Sequence, residues 1–283
     1  MNHHHQHAAS GPGDLAMAEL LDLDAEVLHT YLSDVTAWLA ELTSDRHPRR
    51  ILDLGSGTGT GTFALLERFP QAAATALDIS PQLLHHLARK ARARGMESRI
   101  ETVQADLDAA WPALGTADLA WAGLSLHHMA DPAHILTEAF GALRPGGLLV
   151  ISEMDSFPKF LPHDLGQGRA GLEARIHAAR HNEQPRATHA GPDELTPQLR
   201  TAGFTLQAKR AFAIDLRHPL PDAARRYARL SLQRARDHLD DHLDTEDLTT
   251  LDTLIAGDGP HSVLRRDDLT VRTSRTVWAA KRP

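Results

Sequence analysis

Residues 51–70 read ILDLGSGTGTGTFALLERFP: an apolar run, then glycine at every second position from Gly55 to Gly61, then apolar residues at helical spacing. Few folds accommodate such a stretch. Ile51 to Leu54 read as a buried strand and Thr62 to Phe69 as a helix. Between them Gly55, Gly57 and Gly59 lack a Cβ, so the backbone can take positive φ and a ligand can approach it closely. The helix aims its N-terminus and free N–H groups at the crevice beyond the strand's carboxyl end, where open α/β sheets bind ligands. A nucleotide-like molecule is the natural occupant.

The same rhythm continues along the chain. ATALDIS is followed by the helical PQLLHHLARKARARG, then come RIETVQADL and DLAWAGLSL, the helical PAHILTEAFGAL, and GGLLVISEM. Strands alternating with helices indicate a parallel sheet covered on both faces. Ahead of it, Leu15 to Leu42 carry Leu28, Leu32, Val35, Trp38, Leu39 and Leu42 on one helical face. Residues 154–192 read as a lid or connection with a short helical piece near Leu172–Ala179. PDELTPQLRTAG reads as a helix, FTLQAKRAFAID as a strand, and TVRTSRTVWAAKR as the last strand. The expected organisation is a His-rich tail over 1–14, an N-terminal helical cap over 15–47, and one α/β domain over 48–283 with a helical insertion at about 219–256. MNHHHQH reads as a solvated tail, with a metal-binding tract or an expression tag as alternatives.

Composition removes several functions. A net charge of −7 argues against a general nucleic-acid binder. Without cysteine there is no disulfide, thiolate nucleophile or Cys-ligated metal. No apolar run approaches the roughly 20 residues of a membrane helix, and the N-terminus lacks a signal-peptide core, so a soluble cytoplasmic protein is expected. His85-His86 and His127-His128 suggest metal ligands, but helical neighbours point apart and no H-E-x-x-H spacing occurs, so no metal is expected. The dinucleotide fingerprint G-x-G-x-x-G does not start at Gly55 or Gly57. A relaxed match at Gly59-Thr60-Gly61-Thr62-Phe63-Ala64 keeps a nicotinamide-dependent NAD(P) oxidoreductase open. Asp53, at the strand end, would repel a pyrophosphate and suit a cationic ligand.

DLGSGTG, with its acidic residue two before the first glycine, resembles motif I of the class I S-adenosylmethionine-dependent methyltransferases. The likeness runs through ALDIS at 76–80, QADL at 104–107, SLHHMADP at 125–132 and LRPGGLLVISE at 143–153, and covers about residues 45–155. It implies a Rossmann-like α/β fold: a seven-stranded, mostly parallel sheet with an antiparallel last strand, helices on both faces and extra helical cap elements. It also implies S-adenosyl-L-methionine as co-substrate, bound by Asp53, Gly55, Ser56, Gly57, Gly59, Asp78, Ile79, Asp106, Leu107, Gly123 and Leu124. Asp78, 19 residues after Gly59, would accept hydrogen bonds from the ribose hydroxyls. Its alternative, an N-cap for the following helix, suits Ser80 before Pro81 better. Ile79 would lie on the adenine face, and Asp106 with the Leu107 backbone at the adenine edge, unless Asp106 is only a turn carboxylate. Gly55, Ser56 and Gly57 would pass the methionine portion; Gly123, Leu124 and Ser125 would sit beside the sulfonium. His127 and His128 at the mouth are candidate proton acceptors, the alternative being loop histidines with no such role.

The expected activity is in-line methyl transfer to a small-molecule acceptor, giving S-adenosylhomocysteine. The protein's part is to align the reactants and exclude water. The roof of the acceptor pocket is expected from the N-terminal helices near Tyr31 and Trp38 and from residues 154–180 or the late insertion, which could also support a homodimer. A protein that binds the cofactor without transfer, or runs another reaction on it, stays open. Glu153 and Asp155 end the fifth strand, where they could touch substrate or be surface carboxylates. The run from Arg225 to Arg236, followed by acidic residues, reads as a salt-bridged surface, the alternative being an anionic-substrate patch.

Overall fold

The computed structural model describes residues 12–183, 195–257 and 259–283. The first eleven residues of the expected tail lie outside them. Seven strands are present: β1 Arg50–Leu54, β2 Ala73–Asp78, β3 Ile100–Gln104, β4 Ala117–Gly123, β5 Leu143–Met154, β6 Thr205–Leu216 and β7 Val271–Lys281. They form one sheet in the order β3-β2-β1-β4-β5-β7-β6. β7 runs antiparallel to both β5 and β6, whereas the pairings from β3 across to β5 are parallel. This is the mostly parallel sheet with an antiparallel last strand that the sequence leads one to expect. The chain moves outward from β1 to β3 and then returns to β4 on the other side of β1, which leaves a crevice at the carboxyl ends of β1 and β4.

The helices are α1 Pro12–Val27, α2 His29–Leu42, α3 Thr60–Arg68, α4 Pro81–Ala93, α5 Pro132–Ala142, α6 Leu172–Glu183, α7 Leu195–Thr201, α8 Asp222–His238 and α9 Thr245–Ile255. Their starts follow local chemistry. Ser80 accepts from the Leu83 N–H ahead of Pro81, and Asp131 accepts from the His134 N–H ahead of Pro132. Gly59, at φ 83°, starts α3. Alternation along each strand feeds two cores. Ile51, Leu119, Val150, Val277 and Ala279 pack with residues of α2, α3 and α8, while Leu52, Ala120, Leu149, Ile151 and Trp278 pack with α5 and α7. Buried on both faces, these central strands are apolar nearly throughout.

The helical parts are resolved more finely than the sequence allows. The N-terminal stretch forms two helices: the chain breaks at the buried Leu28, at φ −101° and ψ 23°, so that α1 packs on α8 and α2 on α3. The insertion is a pair, α8 and α9, with α8 packed on α1. Residues 154–180, part of the stretch read as a lid or connection, pack into the domain. Phe160, Leu161, Leu165, Leu172 and Ile176 join the core, and Arg175 grips the buried Asp247 of α9 with two bonds, Nε–Oδ2 at 2.6 Å and Nη2–Oδ1 at 2.7 Å. The basic run of α8 is salt-bridged, with Arg225 on Asp267 and Arg236 on Asp252. Among the described residues no helix is long and apolar enough to cross a membrane.

The indole of Trp121, on β4, fills the space left by two glycines: a Cβ on Gly61 or on Gly123 would overlap its ring nitrogen. Alanine at Gly61 suits a helix better than glycine, but the overlap falls on a buried, braced ring. Gly61→Ala is therefore expected to destabilise by about 1–3 kcal/mol, with Trp121→Phe in the same chain recovering part of the loss, as measured by urea denaturation.

Candidate functional site

A cavity of about 430 Å³ opens over the carboxyl ends of β1, β2 and β4, inside the ~300–1,000 Å³ range of small-molecule sites. Its floor is the β1–α3 turn. Asp53 is 2% exposed, and the Thr62 hydroxyl donates to its Oδ2 at 2.5 Å. Burial pushes the carboxyl up to about 7, against the pull of the Thr62 hydrogen bonds, and the nearby Asp78 adds to the rise. Gly55 and Gly57 have φ of 70° and 53°. A Cβ on Gly55 would come 2.6 Å from that of Ser125, whose hydroxyl donates to the Leu54 carbonyl at 2.6 Å. The buried Ser56 hydroxyl has no hydrogen-bond partner.

At the end of β2, Asp78 accepts from the Gly57 N–H at 2.8 Å through Oδ2 and from the Ser80 N–H at 2.9 Å through Oδ1. Beside it Ile79 is 52% exposed while lining the cavity, although large apolar side chains are normally covered. Beyond β3, Asp106 accepts from the Asp108 N–H, and Asp108 in turn accepts from the Ala130 N–H, which fixes this loop to the one after β4. At the end of β4, Leu124 has φ 57°. It is the one non-glycine in the left-handed region among the described residues, and its N–H donates to the Ser152 carbonyl at 2.8 Å.

Of the residues expected around the cofactor, Asp53, Gly55, Ser56, Gly57, Asp78, Ile79, Asp106, Leu107, Gly123 and Leu124 line this one cavity. Gly59 does not; it starts α3, and a Cβ there would strike Leu87. The two candidate proton acceptors separate. His128 is exposed and lines the cavity, whereas His127 Nδ1 lies 2.6 Å from Oε2 of Glu153, away from the lining. Glu153 is thus a buried carboxylate, and Asp155 accepts from Ser274 and Thr276 on β7. His86 pairs with Asp22 at 2.7 Å, and among the described residues no group of three or more His, Asp or Glu could hold a metal.

The roof differs from expectation. Met17, Leu21 and Asp24 of α1 and Tyr31 and Leu32 of α2 supply it, while no residue of 154–180 or of α8 and α9 lines the cavity. Trp38 packs on Phe212 in the core instead. α8 acts from behind, its Tyr227 hydroxyl donating to Asp24 at 2.7 Å. Arg275 of β7 also reaches the cavity, 3% exposed, and donates to Asp24 at 2.6 Å. Sequence reasoning passed over Asp24 and Arg275, yet each interrupts a mainly apolar face: Asp24 lies in the stripe Met17, Leu21, Leu28, and Arg275 shares a strand face with Val271, Val277 and Ala279.

Residues 51–147 match the family described as methyltransferase domain. Among curated relatives, a demethylmenaquinone methyltransferase of Thermus thermophilus is 30% identical over 59% of this chain and 79% of its own. A trans-aconitate 2-methyltransferase of an Acidovorax species is 32% identical over 62% and 68%. The chain belongs to the class I S-adenosylmethionine-dependent methyltransferases. A malonyl-[acyl-carrier protein] O-methyltransferase of Laribacter hongkongensis is 35% identical over 54% of this methyltransferase, which spans 52% of that relative's length. Solved structures share the fold alone. A Bacillus halodurans protein superposes with a TM-score of 0.55 at 16% identity, over 88% of this chain and 98% of its own. The [4+2]-cyclase SpnF does so with a TM-score of 0.52 at 20% identity, over 89% and 81%.

Asp53 makes the ligand-free methyltransferase sensitive to pH. Its folded-state value of about 7 lies above the 3.8 of an ordinary aspartate, so between these values the native state holds a proton that the unfolded chain has lost. The stabilising contribution is present in full below about pH 4 and is lost as pH rises towards 7, with a limiting slope of about 1.4 kcal/mol per pH unit. Asp53→Asn removes this slope. Denaturation at pH 5 and pH 7.5 is expected to show the variant gaining stability relative to the parent at the higher pH.

Proposed function

We propose that this cavity holds S-adenosylmethionine, with the adenosine over the ends of β2 and β3 and the methionine portion over the glycine turn, and that the enzyme passes the methyl group to a small-molecule acceptor. The observation that carries this reading is the pairing at the end of β2. Asp78 already braces the glycine turn through the Gly57 N–H, and the neighbouring Ile79 stands exposed inside a cavity, as an apolar platform for a flat ring would. The turn itself fits the group. Gly55 and Gly57 present bare backbone, and Ser56 offers a buried hydroxyl that no protein atom satisfies.

Bound S-adenosylmethionine supplies an activated methyl group on a sulfonium. The chain's own residues then have three tasks. Asp78 and Asp106 accept hydrogen bonds from the nucleoside, and Asp53 adds a carboxylate that becomes a charge partner for a cationic ligand once it ionises. Leu21, Leu32, Leu124 and Met129 close a largely apolar chamber that keeps water from the reacting atoms. His128 stands at the mouth, where it can take a proton from an acceptor. The named relatives act on demethylmenaquinone, trans-aconitate and malonyl-acyl-carrier protein, chemically distinct acceptors, which supports a small acceptor without selecting one.

The oxidoreductase alternative loses its support at the glycines it relied on. Gly59 lies off the cavity lining, its Cβ position closed by Leu87, and Gly61 borders the cavity with its Cβ position filled by Trp121. Calorimetric titration with S-adenosylhomocysteine is expected to show binding where NADH shows none. Asp78→Ala is expected to weaken that binding tenfold or more, since about 1.5–3 kcal/mol goes with a hydrogen bond to a charged group. Folded protein that takes up no S-adenosylhomocysteine would sink the proposal.

A further inference from the structure

Across the sheet, the acceptor end of the cavity is separable from the nucleoside end. Asp78 and Ile79 follow β2 and Asp106 follows β3, whereas Ser152 lies on β5 and Arg275 on β7, with β1 and β4 between. At ~4.8 Å per strand, Arg275 stands four strands from Asp78. No adenosine-binding role accounts for it there.

Arg275 is buried and its charge is secure. Burial alone would favour the neutral form, but Asp24 and the oxygens of Tyr31 and Tyr227 beside it hold the guanidinium above the ordinary arginine range. Its hydrogen-bonding capacity is only partly used. One Nη2–H goes to Asp24 Oδ1, and the ring of Tyr31 lies 5.0 Å from the guanidinium carbon. Nε is buried with no partner at all. Buried donors in folded proteins are almost always paired, so an unpaired donor on a side chain that lines the cavity marks a place where a ligand can complete the bonding. Tyr31 also takes a hydrogen bond from the Arg275 side chain, which leaves Nε as the open donor. Tyr227 is spent on the same Asp24 oxygen, and the Tyr31 hydroxyl and Ser152 Oγ share a 2.5 Å hydrogen bond.

We propose that Arg275 is the acceptor-binding residue of this enzyme and that its acceptors are small molecules bearing an oxyanion, a carboxylate or an enolate or phenolate oxygen, which the guanidinium holds through Nε–H. This rests on the cavity being the S-adenosylmethionine site. Arg275 is the one permanent cation on the cavity wall among the described residues, and a charge-assisted bond to an oxygen anion is the strong use of such a group. Directly at the guanidinium a protonated amine would meet a like charge, offset only in part by Asp24. Asp24 acts through Arg275 as a positioning residue: it fixes the guanidinium from the α1 side, so the acceptor site is complete only with α1 in place.

The test uses the full chain loaded with S-adenosylhomocysteine and ligands of matched size: benzoate and 4-nitrophenolate against benzamide and benzylamine, titrated by calorimetry. At least one of the two anions is expected to bind tenfold or more tightly than both comparison compounds. The pair Asp24→Asn with Arg275→Met removes both charges together, so neither is left buried alone. It is expected to abolish the preference while the affinity for S-adenosylhomocysteine changes less than threefold. Anions that bind no better than benzamide and benzylamine to the loaded parent, or a preference that survives in the double variant, would overturn the proposal. Should the double variant not fold, the parent's ligand series decides alone. A parent that takes up no S-adenosylhomocysteine overturns the reading of the cavity instead, and the same anion series on the unloaded chain then judges Arg275 by the same criterion.

Discussion

Hydrogen bonds lace the carboxyl ends of four neighbouring strands together. The Ser56 N–H donates to the Leu77 carbonyl and the Gly57 N–H to Asp78, which ties the glycine turn after β1 to β2. The Ser125 hydroxyl donates to the Leu54 carbonyl, which ties the loop after β4 to β1, and the Leu124 N–H donates to the Ser152 carbonyl on β5. A crevice at a reversal of strand order is open by topology. What makes it a defined cavity is that its loops are fixed to each other and to strands whose side chains are buried on both faces. The unusual backbone of Leu124 is sustained in this setting, since its neighbours hold it from both sides.

The parts of this arrangement that were legible in the sequence are those set by residues close together in the chain. The glycine turn, the Ser80-Pro81 and Asp131-Pro132 helix starts and the apolar strand runs each carry their cause within a few positions. Ser80 suits the cap of the helix after β2 better than Asp78 does, and Ser80 does accept from Leu83. Gly59 was misplaced because a repeating glycine pattern does not reveal which glycines face a ligand and which face a neighbouring helix; Leu87 decides that from α4. Trp38 packs in the core and not in the roof, since in sequence an aromatic on a helical face fits a pocket wall and a core equally well.

The Arg275 end of the cavity was the least legible. Arg275 and Asp24 are separated by 251 positions, and no periodicity links α1 to the last strand. Each leaves a trace as a charged residue on an apolar stripe, which is a reason to search for a partner but not an indication of which one. α1 carries two such contacts. Asp22 holds Lys90 at 2.5 Å and His86 at 2.7 Å on α4, and two residues further on Asp24 holds Arg275. Burial raises the Asp22 carboxyl, but Lys90 and His86 together bring it below the ordinary range. One helix therefore carries an ion pair towards α4 and, two residues on, another towards β7.

Trp121 has a practical side. Its ring is wedged where Gly61 and Gly123 leave room, so it has little freedom to turn, yet it borders the cavity. Of the four tryptophans, Trp38, Trp111 and Trp278 lie off the lining. A ligand that displaces water beside a rigid indole changes the polarity around it without moving it, and fluorescence emission responds to that polarity. The glycines that shape the pocket thus leave the enzyme with a built-in optical reporter of whether the pocket is filled, with the other three indoles as a steady background.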